Sequence, residues 1–141
     1  WKWLKNRKGP TWLTPHLDEF KRLFPFIDSS NLLKAGIEAA KISSASVLVK
    51  CAHSVIAEPL GKTWQIGQAN SCVARTGFGD VLAGFVSGMG ALGFASNNKF
   101  DTNLFAASAL MHAYAGAFCS KGSTASTICS FLSELIKKES T

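Results

Sequence analysis

The chain begins with short segments, and the spacing of their hydrophobic residues changes from one segment to the next. Residues 10–15, PTWLTP, form an apolar run between two prolines, which predicts a short extended segment. The segment that follows, HLDEFKRLF, has the three-to-four spacing of an amphipathic helix. Its apolar positions are Leu17, Phe20, Leu23 and Phe24. We therefore expect a strand followed by a helix at the start of the chain.

A second helix is predicted over residues 29–43, SSNLLKAGIEAAKIS, because Ser and Asn near its start can cap the first turn. Its apolar face is expected to consist of Leu32, Leu33, Ile37 and Ala40. The β-branched run SASVLVK predicts a buried strand that ends at Lys50. The run SVIAEPLGKTWQI predicts a hairpin with its turn at residues 59–61.

Three further helices are predicted at about 79–93, 103–118 and 125–138, each set off by Gly, Asn or Ser. An apolar content of 47% over 141 residues is enough to bury one sizeable core. The order of strand, helices and hairpin predicts a layered α/β domain. Residues 1–141 are therefore interpreted as one such domain or a part of one.

Two uncharged stretches, 81–98 and 102–120, approach the length of a membrane span, and Gly84 and Gly88 form a GxxxG pair. The first stretch contains four glycines, however, and the second contains Asn, Ser and His112. Spanning helices are normally richer in Leu, Ile and Val. We expect buried helices of a soluble protein and no membrane partner.

The charge balance of fifteen Lys and Arg against nine Asp and Glu gives a net charge of +6, which favours anionic partners without identifying them. The amino-terminal WKWLKNRK resembles a nucleic-acid surface, but we interpret it as an exposed stub and expect no nucleic acid. The cysteines at 51, 72, 119 and 129 form no CxxC pair and have no metal-ligand spacing. Reduced thiols, a cytoplasmic location and no protein metal cluster are expected.

The stretch ARTGFGDVLAGFVSGMGALG, residues 74–93, carries a single carboxylate, Asp80, between a glycine-rich turn and a helix. Gly77 and Gly79 can take positive φ and let a ligand approach the backbone closely. The N–H groups of residues 77–80 would then form an anion hole at the start of the helix. Asp80 is placed to accept a proton from a hydroxyl that attacks a bound phosphoryl group. The same pattern also fits an aspartate that only caps the helix.

A resemblance to a known family adds to this pattern. TGFGDVLAGFVSG resembles the Thr-Gly-x-Gly-Asp anion-hole signature of the ribokinase-like superfamily. Within it, the chain is most similar to the ADP- or ATP-dependent NAD(P)H-hydrate dehydratases, which repair hydrated NADH and NADPH. LTPHLDEFKRLF, VLVKCAHSVIAEPLGKTW and FAASALMHAYAGA resemble further segments of that family. The resemblance implies a three-layer ribokinase-like α/β fold, of which this chain would form the C-terminal half.

The resemblance also implies roles for individual residues. Asp80 would be the catalytic base and contact the substrate, and His16 and Glu19 would bind the hydrated dinucleotide. The residues expected to contact the adenine nucleotide are Lys50, Cys51, Ala52, His53, Ser54, Asn70, Arg75, Thr76, Gly77, Phe78 and Gly79. ADP or ATP would be the phosphoryl donor, with Mg²⁺ on its phosphates. The full-length form is expected to be a homo-oligomer.

Several alternatives stay open at this point. His16 also fits the role of a helix-terminal residue that makes only a local hydrogen bond. Lys50 also fits a solvated residue at the end of a strand, and His112 fits a histidine buried in the core. Family members usually carry Gly-Gly-Ser before Gly-Asp, whereas this chain has Thr76-Gly77-Phe78. Cys51 stands where the family has a glycine after the lysine, and the family's N-terminal half has no counterpart in this chain. These differences leave two other functions open. They are a kinase for a small hydroxylated substrate and a non-catalytic nucleotide-binding remnant.

Overall fold

The structure is a computed structural model that describes residues 2–67, 76–97 and 101–139. The chain divides into two compact units, residues 1–67 and 68–141. Asn70 and Arg75, two of the expected nucleotide-binding residues, lie outside the described residues. Each unit is described by itself below.

The first unit contains a four-stranded sheet in the order β1-β2-β3-β4. Strand β1 pairs in parallel with β2, and the two remaining pairs are antiparallel. After a 3₁₀ turn at Lys2–Asn6, the elements are β1 (Trp12–Leu13), α1 (Leu17–Leu23), α2 (Leu32–Ser43), β2 (Ser46–Val49), β3 (Ser54–Ala57) and β4 (Thr63–Ile66). The predicted strands, helices and hairpin of this half are thus confirmed. All four residues of β2 are buried, as its β-branched pattern predicts.

The apolar face predicted for α2 is wrong in part. Leu33 is exposed, and the buried positions of the helix are Ala35, Gly36, Ala39, Ala40 and Ser43. A Cβ added to Gly36 would lie 3.4 Å from Val55 Cγ1 of β3. The helix packs so closely on the sheet that its small residues face the strands, and the larger leucines lie at the margin of the contact.

The core of the first unit lies between the sheet and the helices of this half. Phe20 lies in α1 and Phe24 is the residue that follows its last turn. Both side chains are almost completely buried, and their ring centroids are 5.2 Å apart. They pack with the small face of α2 and with Val47 and Val49 of β2. Because Phe20 lies one turn after the start of α1, its burial fixes the position of the α1 amino terminus relative to the sheet.

The second unit contains three helices, α3 (Phe78–Asn97), α4 (Thr102–Ala117) and α5 (Ala125–Glu139). These confirm the three predicted helices, with α3 ending four residues later than expected. All three pairs of helices are in contact. Their shared core consists of Phe78, Ala115, Cys119, Ile128 and Leu132. His112 is buried in α4, as expected for a core histidine.

Helix α3 is less buried than the sequence analysis expects. By length and composition alone, Phe78–Ser96 would suffice to cross a membrane, and 22% of that window is buried. The central helix of a soluble protein can satisfy the same two criteria. The buried side of α3 consists of Phe78, Leu82 and Val86. Residues at four-residue spacing lie on the same side of a helix.

Candidate functional site

The parallel strands β1 and β2 end next to each other, and the chain remains paired just beyond both ends. His16 and Lys50 form an isolated parallel bridge, and the Lys50 N–H donates a hydrogen bond to the Pro15 carbonyl oxygen at 2.8 Å. In α/β folds, ligands bind at the carboxyl ends of parallel strands. Two of the expected ligand-binding residues, one from each strand, therefore lie together at this edge.

His16 is also the N-cap residue of α1. Its Nδ1 atom accepts hydrogen bonds from the backbone N–H groups of Asp18, at 3.2 Å, and Glu19, at 3.3 Å. A ring nitrogen that accepts an N–H carries no proton, so the neutral ring of His16 is protonated on Nε2. The imidazole is about half exposed. The local hydrogen bond that the sequence left as an alternative is present, and it engages Nδ1 and not Nε2.

Glu19 completes the capping box of α1. Its Oε2 atom accepts a hydrogen bond from the His16 backbone N–H at 2.8 Å and lies 3.8 Å from Lys50 Nζ. Its Oε1 atom lies 3.4 Å from His16 Nε2. The hydrogen bond from the His16 backbone lowers the pKa of this carboxyl, desolvation opposes the change, and Lys50 and His16 lower it further. Both oxygens of Glu19 are thus in contact with His16 or Lys50.

The four residues after Lys50 form the turn that joins β2 to β3. The Ser54 hydroxyl donates to the Cys51 carbonyl at 3.0 Å, and the Cys51 N–H donates to Ser54 Oγ at 3.3 Å. Cys51 Sγ donates to the His53 carbonyl at 2.8 Å. Ala52 and His53 are exposed. Side-chain hydrogen bonds therefore hold this turn closed, and two of its residues face solvent next to Lys50.

In the second unit, the predicted anion hole lies at the start of α3. The helix begins at Phe78, and its first hydrogen bond runs from the Val81 N–H to the Gly77 carbonyl at 3.0 Å. The N–H groups of residues 78–80 precede that bond and have no acceptor within the helix. Gly77 has φ +88°, as predicted, whereas Gly79 lies inside the helix without positive φ. Of the two glycines that can take positive φ, only Gly77 uses that freedom.

Asp80 occupies the third position of α3, and its side chain is exposed. An N-cap aspartate would precede the helix, where Gly77 stands instead. In the part of the chain that the structure describes, no hydrogen bond or ion pair engages the Asp80 carboxylate. The carboxylate therefore lies in the first turn, beside the N–H groups at the start of the helix. A base next to an anion hole requires this arrangement.

Gly77 is also in close contact with the start of α5. A Cβ built on Gly77 would lie 3.2 Å from the Cβ of Ala125, the first residue of α5. This contact joins two positions 48 residues apart in sequence, and nothing in the local pattern around either residue predicts it. It is the main feature near the anion hole that the sequence analysis missed.

A dedicated metal cage is not formed by the residues that the structure describes, which contain no group of three or more His, Cys, Asp or Glu side chains placed to hold an ion. Asp80 is the only carboxylate in the first turn of α3. One exposed carboxylate does not supply the several oxygen ligands of a Mg²⁺ site. Any such ion would take most of its ligands from nucleotide phosphates and water.

The structure thus presents the expected site residues as two groups, each within one unit. His16, Glu19 and Lys50 lie together in the first unit, followed by the turn of residues 51–54. Residues 76–80 form the second group. The Pro15 carbonyl and the Glu19 carboxylate hold the first group together, which the sequence pattern did not predict. The spacing of His16 and Glu19 matches the S/T-x-x-E form of the capping box, with His in the first place, and was a usable signal.

The chain is similar in sequence to proteins that are named for the repair of NAD(P)H hydrate. A sequence model described as NAD(P)H-hydrate dehydratase matches residues 2–138. The bifunctional NAD(P)H-hydrate repair enzyme Nnr of Synechocystis sp. is 45% identical over 122 residues, which are 86% of this chain and 22% of that protein. The ADP-dependent (S)-NAD(P)H-hydrate dehydratase of Bacillus subtilis is 37% identical over 88 residues, 60% of this chain and 32% of that protein.

Solved structures show the same fold. The ADP/ATP-dependent NAD(P)H-hydrate dehydratase of Bacillus subtilis, co-crystallised with ATP/Mg²⁺, superposes with a TM-score of 0.78 at 23% identity, over 94% of this chain and 49% of that one. A ribokinase-like superfamily protein of Enterococcus faecalis gives a TM-score of 0.77 at 22% identity, over 96% of this chain and 49% of that one. The chain therefore has the α/β architecture of ribokinase-like proteins and spans about half the length of these solved relatives.

The match over residues 2–138 covers nearly the whole chain, including both groups of expected site residues. The chain belongs to the NAD(P)H-hydrate dehydratase family.

Proposed function

We propose that the protein takes part in the nucleotide-dependent dehydration of (S)-NAD(P)H hydrate to NAD(P)H, with ADP giving AMP and phosphate. The observation that carries this proposal is the exposed Asp80 carboxylate in the first turn of α3, beside backbone N–H groups that have no acceptor in the helix. The family assignment supplies the substrate class. The relatives that are named for this activity are longer than this chain, so the activity is proposed for the full-length protein.

The proposed reaction has two steps that balance without an oxidant or reductant. Asp80 accepts the proton of the hydroxyl on the hydrated nicotinamide ring, the hydroxyl oxygen forms a bond to the terminal phosphorus of ADP, and the bond from that phosphorus to AMP breaks. The ring C–O bond then breaks, phosphate leaves, and loss of a ring proton restores the double bond. The N–H groups at the start of α3 stabilise the charge that develops on the transferred phosphoryl group.

The first unit is proposed to bind the two nucleotides. His16 donates its Nε2–H to a polar group of the hydrated dinucleotide, because its Nδ1 is occupied by the backbone. Lys50 and the turn of residues 51–54 contact the adenine nucleotide, for which the Lys50 ammonium is a suitable partner. The family resemblance adds three further nucleotide-binding residues to the proposal, Asn70, Arg75 and Thr76. A Mg²⁺ ion bound to the nucleotide phosphates would neutralise part of their charge.

A second candidate function is the phosphorylation of a small hydroxylated compound such as a vitamin precursor or a sugar. The observation in its favour is the sequence Thr76-Gly77-Phe78 before Gly79, which follows the general sugar-kinase form rather than the Gly-Gly-Ser of most dehydratases. The same base and anion hole would serve both reactions. A third candidate, a nucleotide-binding remnant without turnover, has in its favour the Cys51 that replaces a family glycine.

Location and assembly are proposed on the same basis. The cysteines that the structure describes are in the thiol form, and they are Cys51, Cys119 and Cys129. Free thiols fit a reducing compartment, and we propose a cytoplasmic protein. A homo-oligomer in the full-length form remains part of the proposal, and sedimentation or light scattering of that form tests it.

The experiment that separates the candidates uses the full-length protein with hydrated NADPH and ADP. The proposal expects NADPH, AMP and phosphate to form in equal amounts, and ATP is tested as the alternative donor. A parallel reaction offers ATP with a panel of small hydroxylated compounds. Accumulation of a phosphorylated compound without formation of NADPH would favour the kinase, and nucleotide binding without any product would favour the remnant.

A further inference from the structure

The only proton of the Ser54 hydroxyl is used within the turn that joins β2 to β3. Ser54 Oγ lies 3.0 Å from the Cys51 carbonyl oxygen and accepts the Cys51 N–H at 3.3 Å. A carbonyl can only accept, so the hydroxyl proton is committed to Cys51. A phosphate oxygen without a proton is likewise only an acceptor. Ser54 could therefore donate to a phosphate only by giving up its hydrogen bond to the turn.

The hydrogen bond from Ser54 also sets the direction of the next main-chain donor. The Cys51 carbonyl and the Ala52 N–H belong to one planar trans peptide group, in which they point in opposite directions. Because the carbonyl is held toward Ser54, the Ala52 N–H points away from Ser54. Ala52 is exposed, and among the residues that the structure describes no hydrogen bond engages its N–H. The turn thus presents a main-chain donor on the side opposite Ser54.

Cys51 is compatible with this arrangement, although it stands where the family has a glycine. Its φ is not positive, so the backbone at this position does not require glycine. Its thiol donates to the His53 carbonyl at 2.8 Å, which is a further hydrogen bond within the turn. The replacement of the glycine therefore leaves the turn closed.

We infer that Ser54 is a positioning residue, which directs the Ala52 N–H at a phosphate oxygen of the bound adenine nucleotide and does not itself touch the nucleotide. This inference rests on the proposed function, in which the turn binds ADP. A charged acceptor strengthens the hydrogen bond that it receives from an N–H group, and the Lys50 ammonium directly before the turn also favours phosphate. The role of Ser54 differs from the direct contact that the family resemblance implies.

The first test is a double-mutant cycle on the full-length protein, with ADP binding measured by calorimetric titration. Ser54→Ala is expected to weaken binding about three- to tenfold, the loss of one hydrogen bond of ordinary strength. Lactic acid in place of Ala52, introduced by nonsense suppression, replaces the N–H by an ester oxygen and is expected to have a similar effect. Because both changes remove the same contact, their combination should cause little further loss. Two effects that multiply would overturn the inference, because Ser54 would then contact the nucleotide directly.

Two further variants separate positioning from a general effect on the fold. Ser54→Thr keeps the hydroxyl and is expected to bind ADP within about twofold of the wild type. Ser30→Ala removes another loop hydroxyl of the first unit, which is bonded to Asp28 at 2.6 Å, and is expected to leave ADP binding unchanged. Failure of threonine to restore binding, or an equal loss in Ser30→Ala, would overturn the role of the Ser54 hydroxyl.

The second test follows the Ala52 N–H itself by amide hydrogen exchange. In the wild type, ADP is expected to slow exchange at Ala52, and in Ser54→Ala this protection should be largely lost at the same fraction of bound ADP. Exchange at Ala52 that does not respond to ADP in the wild type would overturn the inference. Adenosine, which has no phosphate, is expected to lose less than about twofold in affinity in Ser54→Ala. An equal loss for adenosine and ADP would overturn the assignment to phosphate.

These measurements are independent of turnover. If the full-length protein binds ADP but does not dehydrate hydrated NADPH, the proposed function fails, and the cycle and the exchange measurement still decide the role of Ser54. If the dehydration proceeds and the Ala52 ester binds ADP as the wild type does, the proposed function stands and the inference is wrong.

Discussion

Gly77 and Ala125 meet so closely that a methyl group on Gly77 would lie 3.2 Å from the Cβ of Ala125. Gly77 also has φ +88°, a conformation that residues with a side chain rarely adopt. Two independent constraints therefore favour glycine immediately before the predicted anion hole. One is a tertiary contact between the starts of α5 and α3, and the other is a property of the local backbone.

Gly77→Ala is expected to destabilise the protein by about 1–3 kcal/mol through the backbone strain alone. It is also expected to weaken ADP binding, because the strain shifts the N–H groups that follow Gly77. The double variant Gly77→Ala with Ala125→Gly removes the crowding and keeps the strain, so it should recover only part of the stability. Urea denaturation and calorimetric titration with ADP measure the two effects.

The matched control for this prediction is Gly84→Ala in the same helix. No atom lies within 4 Å of a Cβ built on Gly84, and its φ is not positive. Alanine there is expected to stabilise α3 by about 0.5–1 kcal/mol. If both glycine variants behaved alike, the special role of Gly77 would be wrong.

Asp80→Asn in the full-length protein is expected to lower turnover of hydrated NADPH by about 10²–10⁴-fold, the usual contribution of a general base. ADP affinity should stay within about threefold, because the proposed phosphate contacts are made by the backbone. Turnover within about tenfold of the wild type would mean that Asp80 only stabilises the start of the helix.

A carboxylate at the start of another helix provides the control for Asp80. Asp101 is the N-cap of α4, and its Oδ1 accepts the Asn103 N–H at 2.8 Å. Asp101→Asn keeps a capping side chain. Its turnover is therefore expected to match that of the wild type within about twofold, which separates loss of a base from loss of charge at a helix terminus.

Glu19 should make a pH-dependent contribution to stability. The backbone hydrogen bond from His16 lowers its pKa below the ordinary value of 4.5, and a lowered folded-state pKa means that the ionised form favours folding. The contribution is complete above that ordinary value and is lost as pH falls through the folded-state pKa. The stability difference between the wild type and Glu19→Gln should therefore shrink in acid, as urea denaturation at a series of pH values would show.

Lys50→Met tests the cause of this pH dependence. It removes the ammonium 3.8 Å from Glu19 Oε2 and keeps the hydrogen bond from the His16 backbone. Because that hydrogen bond is the largest cause of the lowered pKa, most of the pH dependence should remain. Its complete loss in Lys50→Met would assign the effect to the ion pair instead.

The close contact between α2 and the sheet predicts a large effect on stability for one substitution and a small effect for another of similar size change. Ala39 is fully buried, and Ala39→Leu is expected to cost about 1–3 kcal/mol of stability through overpacking. Leu33 is 42% exposed, and Leu33→Ala is expected to change stability by less than about 0.5 kcal/mol. Thermal and urea unfolding of the two variants provide the measurement, and a reversed order would contradict the packing described for α2.

The limits of prediction from sequence differ between α2 and β2. Every residue of β2 is buried as predicted, because Val47, Leu48 and Val49 make both faces of the strand apolar. The face of α2 was mispredicted because hydrophobicity does not report how near the helix lies to the strands. At that separation, alanine and glycine fit and leucine does not.

The candidate site shows the same division. The sequence around Gly77 predicts the turn, its positive φ and the helix that follows, since all three depend on neighbouring residues. The contact with Ala125 depends on how α5 packs against α3, and the roles of the Glu19 oxygens depend on the rotamers of three side chains. Neither is a property of a short segment, so neither could be read from the pattern.

The hydrogen bond from the Lys50 N–H to the Pro15 carbonyl has an evolutionary consequence. It sets the separation of positions 16 and 50 through main-chain atoms alone. If both residues bind ligand as proposed, substitutions of either side chain would change which ligand is recognised while the main-chain distance between the two positions is preserved. Variation at these positions would not require a change in the pairing of β1 and β2.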